Sequence, residues 1–228
     1  DVMPGPTLLI GNEYLDCLPI RQFVMKDRFA GRAGWHERLI DIHPDNPNKL
    51  VYTLAAAPIS KADQSLLPAV LPEAKDGDLL EISTGLSQVA DALKARFAAQ
   101  DGAALFIDYG PEETEFGDTF QAIVRHEKSF PLAAPGEADL TARVDFAALK
   151  QAGEAAGFSA FGPVPQGRFL SKLGVEMRAV ALSKASPDDK PKIARQLHRL
   201  THADEMGTLF KAMALQSEGL PTPLGFTP

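Results

Sequence analysis

Two short and almost wholly apolar runs predict strands that are buried on both faces. One is the Leu-Leu-Ile run at residues 8–10, and the other is the Ala-Ala-Leu-Phe-Ile run at residues 103–107. Continuous apolar runs of this length are typical of parallel strands covered by helices. A shorter strand at 79–83 precedes a helix whose apolar positions repeat at helical spacing: Leu86, Val89, Ala90, Leu93 and Phe97. A helix that runs into a buried strand is half of a βαβ unit, which predicts an α/β sheet.

A different pattern occupies residues 20–55. Three stretches of strand length, 20–25, 35–42 and 50–54, show partial alternation of apolar and polar residues. Gly31 and Gly34 separate the first two stretches, and a cluster rich in Pro and Asn separates the last two. This pattern predicts an antiparallel meander, which an irregular connector with three prolines follows.

After the second buried run, the chain alternates short strands with amphipathic helices. Strands are predicted at 119–124, 140–144 and 158–161, and Asp145 is expected to cap a helix with the apolar face Phe146, Leu149 and Gly153. Three more amphipathic helices are predicted towards the end of the chain. Their apolar positions are Phe169, Leu170, Leu173 and Met177 in the first, Ile193, Leu197 and Leu200 in the second, and Met206, Leu209, Phe210 and Met213 in the third.

Composition and charge restrict the classes of function. The 228 residues are 45% hydrophobic and 23% charged, which is ordinary for a globular protein. A net charge of −7 argues against nucleic acid or an anionic membrane as the main partner, and no apolar stretch is long enough to predict membrane insertion. The single cysteine, Cys17, rules out an internal disulfide framework and is predicted to be a small buried residue. The chain opens on Asp1 and enters a strand almost at once, so we expect it to be the later part of a longer protein.

The best candidate site directly follows the first buried run. There the sequence places an amide and two carboxylates, Asn12, Glu13 and Asp16. In open α/β sheets, ligands bind just beyond the carboxyl ends of the strands, so these side chains are predicted to face a ligand. The same residues also fit a helix start, in which Asn12 is the N-cap and both acids lie in the first turn. The composition of the stretch is compatible with either interpretation.

Other residues with useful chemistry give weaker signals. Neither of the glycine-rich phosphate-binding patterns occurs. His198 and His202 lie four residues apart on a predicted helix, but Arg199 stands where a metalloprotease motif needs a glutamate. An exposed helix face is therefore favoured over a metal site. His126 follows a predicted strand and could stand near the loop of Asp108.

Six blocks of sequence, taken in order, closely resemble the MidA-like S-adenosylmethionine-dependent methyltransferases. That family includes a mitochondrial complex I assembly factor that methylates a protein arginine, and its bacterial relatives. Each block is short, but their order and spacing together are specific, and they extend over nearly the whole chain. The blocks are residues 12–19 (NEYLDCLP), 108–110 (DYG), 117–121 (GDTFQ, with His126), 136–146 (GEADLTARVDF), 166–170 (QGRFL) and 206–211 (MGTLFK).

The resemblance implies a class I, Rossmann-like methyltransferase fold, with a seven-stranded mixed sheet and flanking helices. This chain would be the C-terminal two-thirds of such a protein, with the later strands only and without the Gly-rich cofactor loop. Residues 7–10 would be the fourth strand, 103–108 the fifth and 158–161 one of the last two. The expected division is a core from residues 1–19 and 78–182, an inserted meander and connector at 20–77, and a helical extension at 183–228.

The resemblance also implies S-adenosylmethionine as the cofactor and no metal. The expected reaction is protein-arginine methylation linked to respiratory complex I assembly, so the expected partner is a protein substrate such as a complex I subunit. The implied compartment is the cytoplasm in a bacterium or the mitochondrial matrix in a eukaryote.

On this template, the residues after the first strand receive roles. Asn12 and Glu13 are predicted to contact the cofactor, and Glu13 and Asp16 to act in catalysis by holding the target guanidinium. A guanidinium is protonated at neutral pH, and carboxylates bind it in fork geometry. Asp139, Thr141 and Asp145 are expected to fix loop architecture, while the residues expected to line the substrate channel are Asp108, Tyr109 and His126.

Two other functions stay open from the sequence. A catalytically inactive assembly or scaffold protein that keeps the methyltransferase fold is favoured by the absence of the Gly-rich loop. A small-molecule methyltransferase fits as well, because no residue identifies the methyl acceptor. The intact Asn-Glu-x-x-Asp stretch favours an enzyme.

Overall fold

The computed structural model describes residues 5–29, 31–61, 63–68, 71, 73–125 and 127–227. The strands in these residues are β1 Thr7–Asn12, β2 Ile20–Phe29, β3 Arg32–His43, β4 Asn46–Leu54, β5 Leu79–Ser83, β6 Gly102–Tyr109, β7 Gln121–Val124, β8 Glu127–Ser129, β9 Asp139–Thr141, β10 Ser159–Pro165 and β11 Phe210–Gln216. The α-helices are α1 Gly85–Phe97, α2 Phe146–Ala156, α3 Gln166–Lys172, α4 Val175–Ala185, α5 Lys190–Thr201 and α6 Met206–Leu209.

A mixed four-stranded sheet in the order β1-β6-β11-β10 forms the core. β1 and β6 are parallel, and β11 is antiparallel to both of its neighbours. Helices α1 and α2 contact each other. Gly153 of α2 allows close packing on the sheet, because a Cβ there would lie 2.4 Å from Leu215 Cδ2. The buried cluster joins both helices to the sheet and includes Leu86, Leu93, Phe97, Phe106, Phe146, Leu149, Met213 and Leu215. The predicted mixed α/β fold is confirmed.

The last strand, β11, departs most from the sequence analysis. The sequence predicts a helix through Met206, Leu209, Phe210 and Met213, but α6 ends at Leu209 and β11 follows at once. Every residue of β11 is buried, and the strand lies between β6 and β10. A strand covered on both faces needs no alternation of apolar and polar residues, so its sequence resembles that of a buried helix. Residues 210–216 therefore belong to the core sheet and not to a helical extension.

Strand β1 is more exposed than the sequence predicts. Leu8 is 87% exposed and Ile10 is 73% exposed, whereas Phe106 of β6 is buried. Among the described strands, β1 pairs with β6 alone and forms an edge of the sheet. Within the described residues, β1 is therefore not buried on both faces as predicted, while β6 has no exposed residue. A local pattern cannot reveal this difference, because it depends on which strands are neighbours.

A second sheet confirms the predicted meander. Strands β2, β3 and β4 are antiparallel neighbours, and β5 adds to β2 to give the order β4-β3-β2-β5. The strand at 79–83 is thus part of this sheet and not of the core sheet, so it does not form a βαβ unit with α1 and β6. One face of the second sheet has its own buried cluster of Phe23, Trp35 and Leu80, and the connector covers this cluster with Ile59 and Leu67 among others.

A small antiparallel sheet and the remaining helices complete the fold. The small sheet has the order β8-β7-β9, so the strands predicted at 119–124 and 140–144 are present but shorter. Helix α2 begins at its predicted cap, where Asp145 Oδ1 accepts a hydrogen bond from Ala148 N at 2.9 Å. The first predicted terminal helix is divided into α3 and α4 at Gly174, which has a left-handed φ of 82°. None of the described helices is long and apolar enough to cross a membrane.

Candidate active site

The residues after β1 form a turn and not a helix. Residues 13–19 contain turns and bends before β2 begins. Glu13 N donates to Ile107 O at 2.9 Å, which continues the hydrogen bonding between β1 and β6. Glu13 adopts a left-handed φ of 48°, which residues other than glycine seldom do. Asn12 is therefore not a helix N-cap. We call residues 12–19 the acid loop.

Asp108, at the carboxyl end of β6, fixes the acid loop in place. Its Oδ2 accepts hydrogen bonds from Leu15 N at 2.9 Å and Asp16 N at 3.2 Å, and its Oδ1 accepts one from Tyr109 N at 2.9 Å. Asp108 is 1% exposed. Burial, followed by the repulsion of the nearby Asp16 carboxylate, raises the pKa of Asp108 to about 6 in spite of these three donors. Asp108, which was predicted to line the substrate channel, is buried in this structure and holds the backbone of the loop.

An open cleft of about 780 Å³ lies beside the acid loop. We call it the acidic cleft. Two cationic side chains, Lys128 and Arg143, also line it, and Arg143 is paired with Glu115 at 3.2 Å. Because the carboxylates outnumber the cations, the cleft suits a positively charged group between aromatic walls. The carboxylates are Glu13, Asp16, Asp118 and Asp139, and the aromatic residues are Tyr109, Phe120 and Phe210.

Asp16 and Tyr109 meet at the inner wall of the cleft. The Tyr109 hydroxyl accepts a hydrogen bond from Gln121 Nε2 at 3.4 Å, and burial is the main cause that raises its pKa. The hydroxyl is therefore protonated at neutral pH and can donate a hydrogen bond. The carbonyl of Asp16 accepts from Ala142 N at 2.9 Å, which ties the acid loop to the segment after β9.

The opposite wall of the cleft depends on Glu81, which the sequence analysis missed. This β5 carboxylate accepts hydrogen bonds from Thr119 N at 3.1 Å, Phe120 N at 3.0 Å and Gln22 Nε2 at 2.7 Å. The Thr119 hydroxyl also donates to it. These bonds hold the segment of Asp118 and Phe120 at the edge of the cleft. Thr119 and Phe120 lie 38 and 39 residues away in the sequence and Gln22 lies 59 residues away, so no local motif could have identified Glu81.

Another buried charge is Lys211 of β11. Its Nζ donates to three carbonyls, Thr208 O at 2.7 Å, Gly110 O at 3.0 Å and Leu209 O at 3.4 Å. Burial lowers the pKa of this ammonium, while Glu112 and Glu115 oppose that effect. Lys211 thereby joins the residue after β6 to the end of α6, beside the cleft residues Leu209 and Phe210.

A groove of about 710 Å³ runs on the other side of the acid loop, between β1 and α1. We call it the β1–α1 groove. Its walls are largely apolar, with Leu9, Ile10 and Val89, and its polar end carries Asn12 and Glu13. Glu13 lines both the groove and the acidic cleft, so it stands where the two cavities meet.

The structure places the other candidate residues in different surroundings. Among the predicted residues, Glu13, Asp16 and Tyr109 meet in the acidic cleft, while Asn12 faces the groove. His126 lies outside the described residues. Cys17 is exposed, so its prediction as a buried residue is wrong. Asp139 and Thr141, predicted to fix loop architecture, line the cleft. The rings of His198 and His202 stack at 4.2 Å on an exposed part of the chain.

A comparison with protein families agrees with this geometry. The sequence model of one family matches residues 1–164, which is more than half of the chain, and that family is described as "putative S-adenosyl-L-methionine-dependent methyltransferase". The chain belongs to this family. The resemblance predicted from the six sequence blocks is thereby confirmed, as is S-adenosylmethionine as the cofactor of the family.

Relatives of this methyltransferase family match along most of the chain. The zebrafish (Danio rerio) mitochondrial protein arginine methyltransferase NDUFAF7 is 33% identical over 219 residues, which cover 92% of this chain and 47% of that protein. The human protein of the same name is 31% identical and the Drosophila melanogaster homologue 33% identical, each covering 94% of this chain and 46% and 48% of those proteins. The chain therefore spans about half the length of these curated relatives.

Two solved structures from Burkholderia thailandensis have the same fold. One, of an uncharacterized protein, is 28% identical with a TM-score of 0.83, and the match covers 99% of this chain and 59% of that one. The other, of a candidate methyl transferase bound to S-adenosyl-homocysteine, is 26% identical with a TM-score of 0.82, covering 99% and 57%. The methyltransferase fold predicted for this chain is therefore confirmed.

Proposed function

We propose that the protein transfers a methyl group from S-adenosylmethionine to a guanidinium nitrogen of an arginine in a protein substrate. The observation that carries the proposal is the position of Glu13, whose carboxylate stands where the β1–α1 groove meets the acidic cleft. The names of the relatives, protein arginine methyltransferases, support a protein-bound arginine as the acceptor.

The residues at the polar end of the β1–α1 groove fit the amino-acid part of the cofactor. Asn12 and Glu13 are exposed there and offer an amide and a carboxylate to an ammonium and a carboxylate group, beside an apolar wall. When bound, the cofactor supplies an electrophilic methyl group on a sulfonium. Asn12 would orient it through its amide, and the hydrogen bond from Asn12 Nδ2 to Glu13 Oε1 at 3.3 Å holds the two side chains together.

In the acidic cleft, Glu13 and Asp16 would hold the guanidinium. Carboxylates from one rigid turn can accept several N–H hydrogen bonds and so align one nitrogen with the methyl group. A nitrogen held in this way would be in position to accept the methyl group that the cofactor supplies, with the sulfur of the cofactor as the leaving group. The methylated nitrogen then loses a proton, which an adjacent carboxylate accepts and passes to water. Tyr109 and Phe210, whose ring centroids are 5.6 Å apart, would limit water access from one side.

Two finer expectations concern the protein substrate and the compartment. A respiratory complex I subunit is the protein substrate that we expect, and the bacterial cytoplasm or the mitochondrial matrix is the compartment. The names of the relatives call those proteins mitochondrial, which supports the second compartment for eukaryotic members.

The test is a methyl-transfer assay with the full-length protein, radiolabelled S-adenosylmethionine and short arginine peptides. Glu13→Gln keeps the size of the side chain but removes its charge, so kcat should fall on the order of 100-fold. Glu154→Gln, on the exposed face of α2, is the matched control and should act as the unaltered protein does.

Three results would contradict the proposal. One is an unchanged rate for Glu13→Gln. Another is equal transfer to peptides in which lysine replaces arginine. The third is transfer to small molecules but to no peptide, which would favour the small-molecule alternative.

A further inference from the structure

One face of the second sheet carries exposed apolar side chains beyond the cleft. Ile40 and Ile42 of β3 are 55% and 57% exposed, and Phe130, which follows β8, is 55% exposed. Tyr52 of β4 is the register partner of Ile40, so the two side chains lie on the same face. The Tyr52 and Phe130 rings contact each other edge to face at 5.8 Å. We call these four residues the outer strip.

The opposite face of the same sheet has a different environment. Residues of β3 alternate between the faces, so Leu39 points away from the outer strip. The face of Leu39 also carries Trp35, which belongs to the buried cluster covered by the connector. Ile40 and Ile42 have no such cover among the described residues. Sheets with one packed face usually expose polar side chains on the other, so apolar residues here call for a specific explanation.

The outer strip is continuous with the acidic cleft by two routes. Asp118, a cleft residue, pairs with Arg38 at 2.7 Å, and the Arg38 guanidinium stacks on the Tyr52 ring at 3.7 Å. By the second route, Ser129 lines the cleft and Phe130 is the next residue. The apolar side chains therefore begin where the charged wall of the cleft ends.

We propose that the outer strip binds apolar side chains of the protein substrate that flank the methyl-accepting arginine. The inference rests on the proposed function, and it adds that the substrate is recognised as an extended segment in which apolar residues follow or precede the arginine. Ile40 and Ile42 lie about 7 and 13 Å beyond Arg38 along β3, since a strand rises about 3.3 Å per residue. Successive side chains of an extended segment point in opposite directions, so the apolar residues of such a substrate would meet the strip at every second position.

The size and surroundings of the strip favour this occupant over others. A stable contact between two copies buries about 800 Å² on each partner, well beyond what four side chains offer. An anionic membrane surface would meet the carboxylates of the adjoining cleft and be repelled. A cationic peptide with apolar neighbours matches both parts of the surface.

The test compares arginine peptides that carry leucine or serine at the flanking positions. With the full-length protein, the leucine-flanked peptide should have the lower KM. The double variant Ile40→Ser with Ile42→Ser should raise that KM roughly tenfold and leave kcat unchanged, since it removes apolar contacts outside the reacting centre. Leu39→Ser is the matched control, because Leu39 is 41% exposed on the opposite face of the same strand. This variant should leave the KM and kcat for both peptides unchanged.

A charge substitution gives a second measurement that does not depend on loss of activity. Ile40→Lys should shift the preference of the enzyme from leucine-flanked to glutamate-flanked peptides. Equal KM values for all flanks, or no effect of the double variant, would overturn the docking site while the proposed function stands. No methylation of any arginine peptide by the unaltered protein would overturn the proposed function itself. If the double variant instead converts a dimer into a monomer without changing KM, the strip is a contact between copies and the inference is wrong.

Discussion

Strands β1 and β6 look alike in the sequence, since each contains a short apolar run and has an acidic residue at or just beyond its carboxyl end. Among the described strands, however, they take different positions in the sheet. β1 is an edge strand among the described residues, and the acid that follows it, Glu13, is exposed. β6 lies inside the sheet, and its acid, Asp108, is buried and bound to backbone donors. The exposed carboxylate is free to meet a ligand, and the buried one can only support the loop that presents it.

The two strand ends therefore act as one unit. Asp108 accepts hydrogen bonds from Leu15 and Asp16, and so determines where the loop of Glu13 lies. Supporting an exposed functional group through a buried one is a general requirement of precise sites. This division of roles is open to measurement at three levels.

Removing an apolar side chain from each strand should give the largest difference in the free energy of unfolding. In the 228-residue chain, Phe106→Ala should lower the free energy of unfolding by about 3–5 kcal/mol, because it leaves a cavity in the core. Leu8→Ala, on the exposed strand, should change it by less than about 0.5 kcal/mol. Urea denaturation followed by circular dichroism measures both. Similar losses for the two variants would mean that β1 is as buried as β6.

The two acids should separate stability from activity. Asp108→Ala leaves three backbone N–H groups without their acceptor, so we expect a loss of roughly 2–3 kcal/mol in the free energy of unfolding. Glu13→Gln should cost less than about 0.5 kcal/mol, although under the proposed function it should remove most of the activity. Thermal unfolding of both variants measures the effect on stability, and the methyl-transfer assay measures the effect on activity. If Asp108→Ala is as stable as the unaltered protein, Asp108 does not fix the loop.

The smallest effect concerns pH. The pKa of Asp108 in the folded protein, about 6, lies above its ordinary value of 3.8, so the folded state binds this proton more tightly than the unfolded state. The stabilisation from this proton is present below about pH 4 and is lost as the pH rises through 6. The loss of this stabilisation between pH 5 and 7 should lower the free energy of unfolding by about 1 kcal/mol. Asp108→Asn should remove this part of the pH dependence, and identical pH profiles for the two proteins would contradict the assignment.

The sequence predicted the elements in which apolar residues recur at a regular spacing, together with the residues next to those elements. The acid loop, the meander, helix α1 and the Asp145 cap follow from local patterns. The difference in burial between Asp108 and Glu13 did not, because an acid after an apolar run looks the same whether its strand lies at the edge or inside the sheet. The neighbours of a strand are set by residues far away in the chain.

Strand β11 shows the same limit for secondary structure. Its residues include alanine, methionine and leucine, which favour helices, and the position between two strands overrides that preference. Lys211 and Gln216 are polar residues at buried positions, and neither marks the segment as a core strand from the sequence. The sheet supplies the decisive interaction, since β11 pairs along its length with β6.

The position of β11 also sets the order in which the protein can be completed during synthesis. Among the described strands, β10 pairs with β11 alone, so nothing joins β10 to β6 before residues 210–216 have been made. A ribosome adds about 5–20 residues per second, so several seconds separate the synthesis of β10 from that of β11. The acid loop is made before β11, so the cleft beside it closes only when Leu209 and Phe210 leave the ribosome.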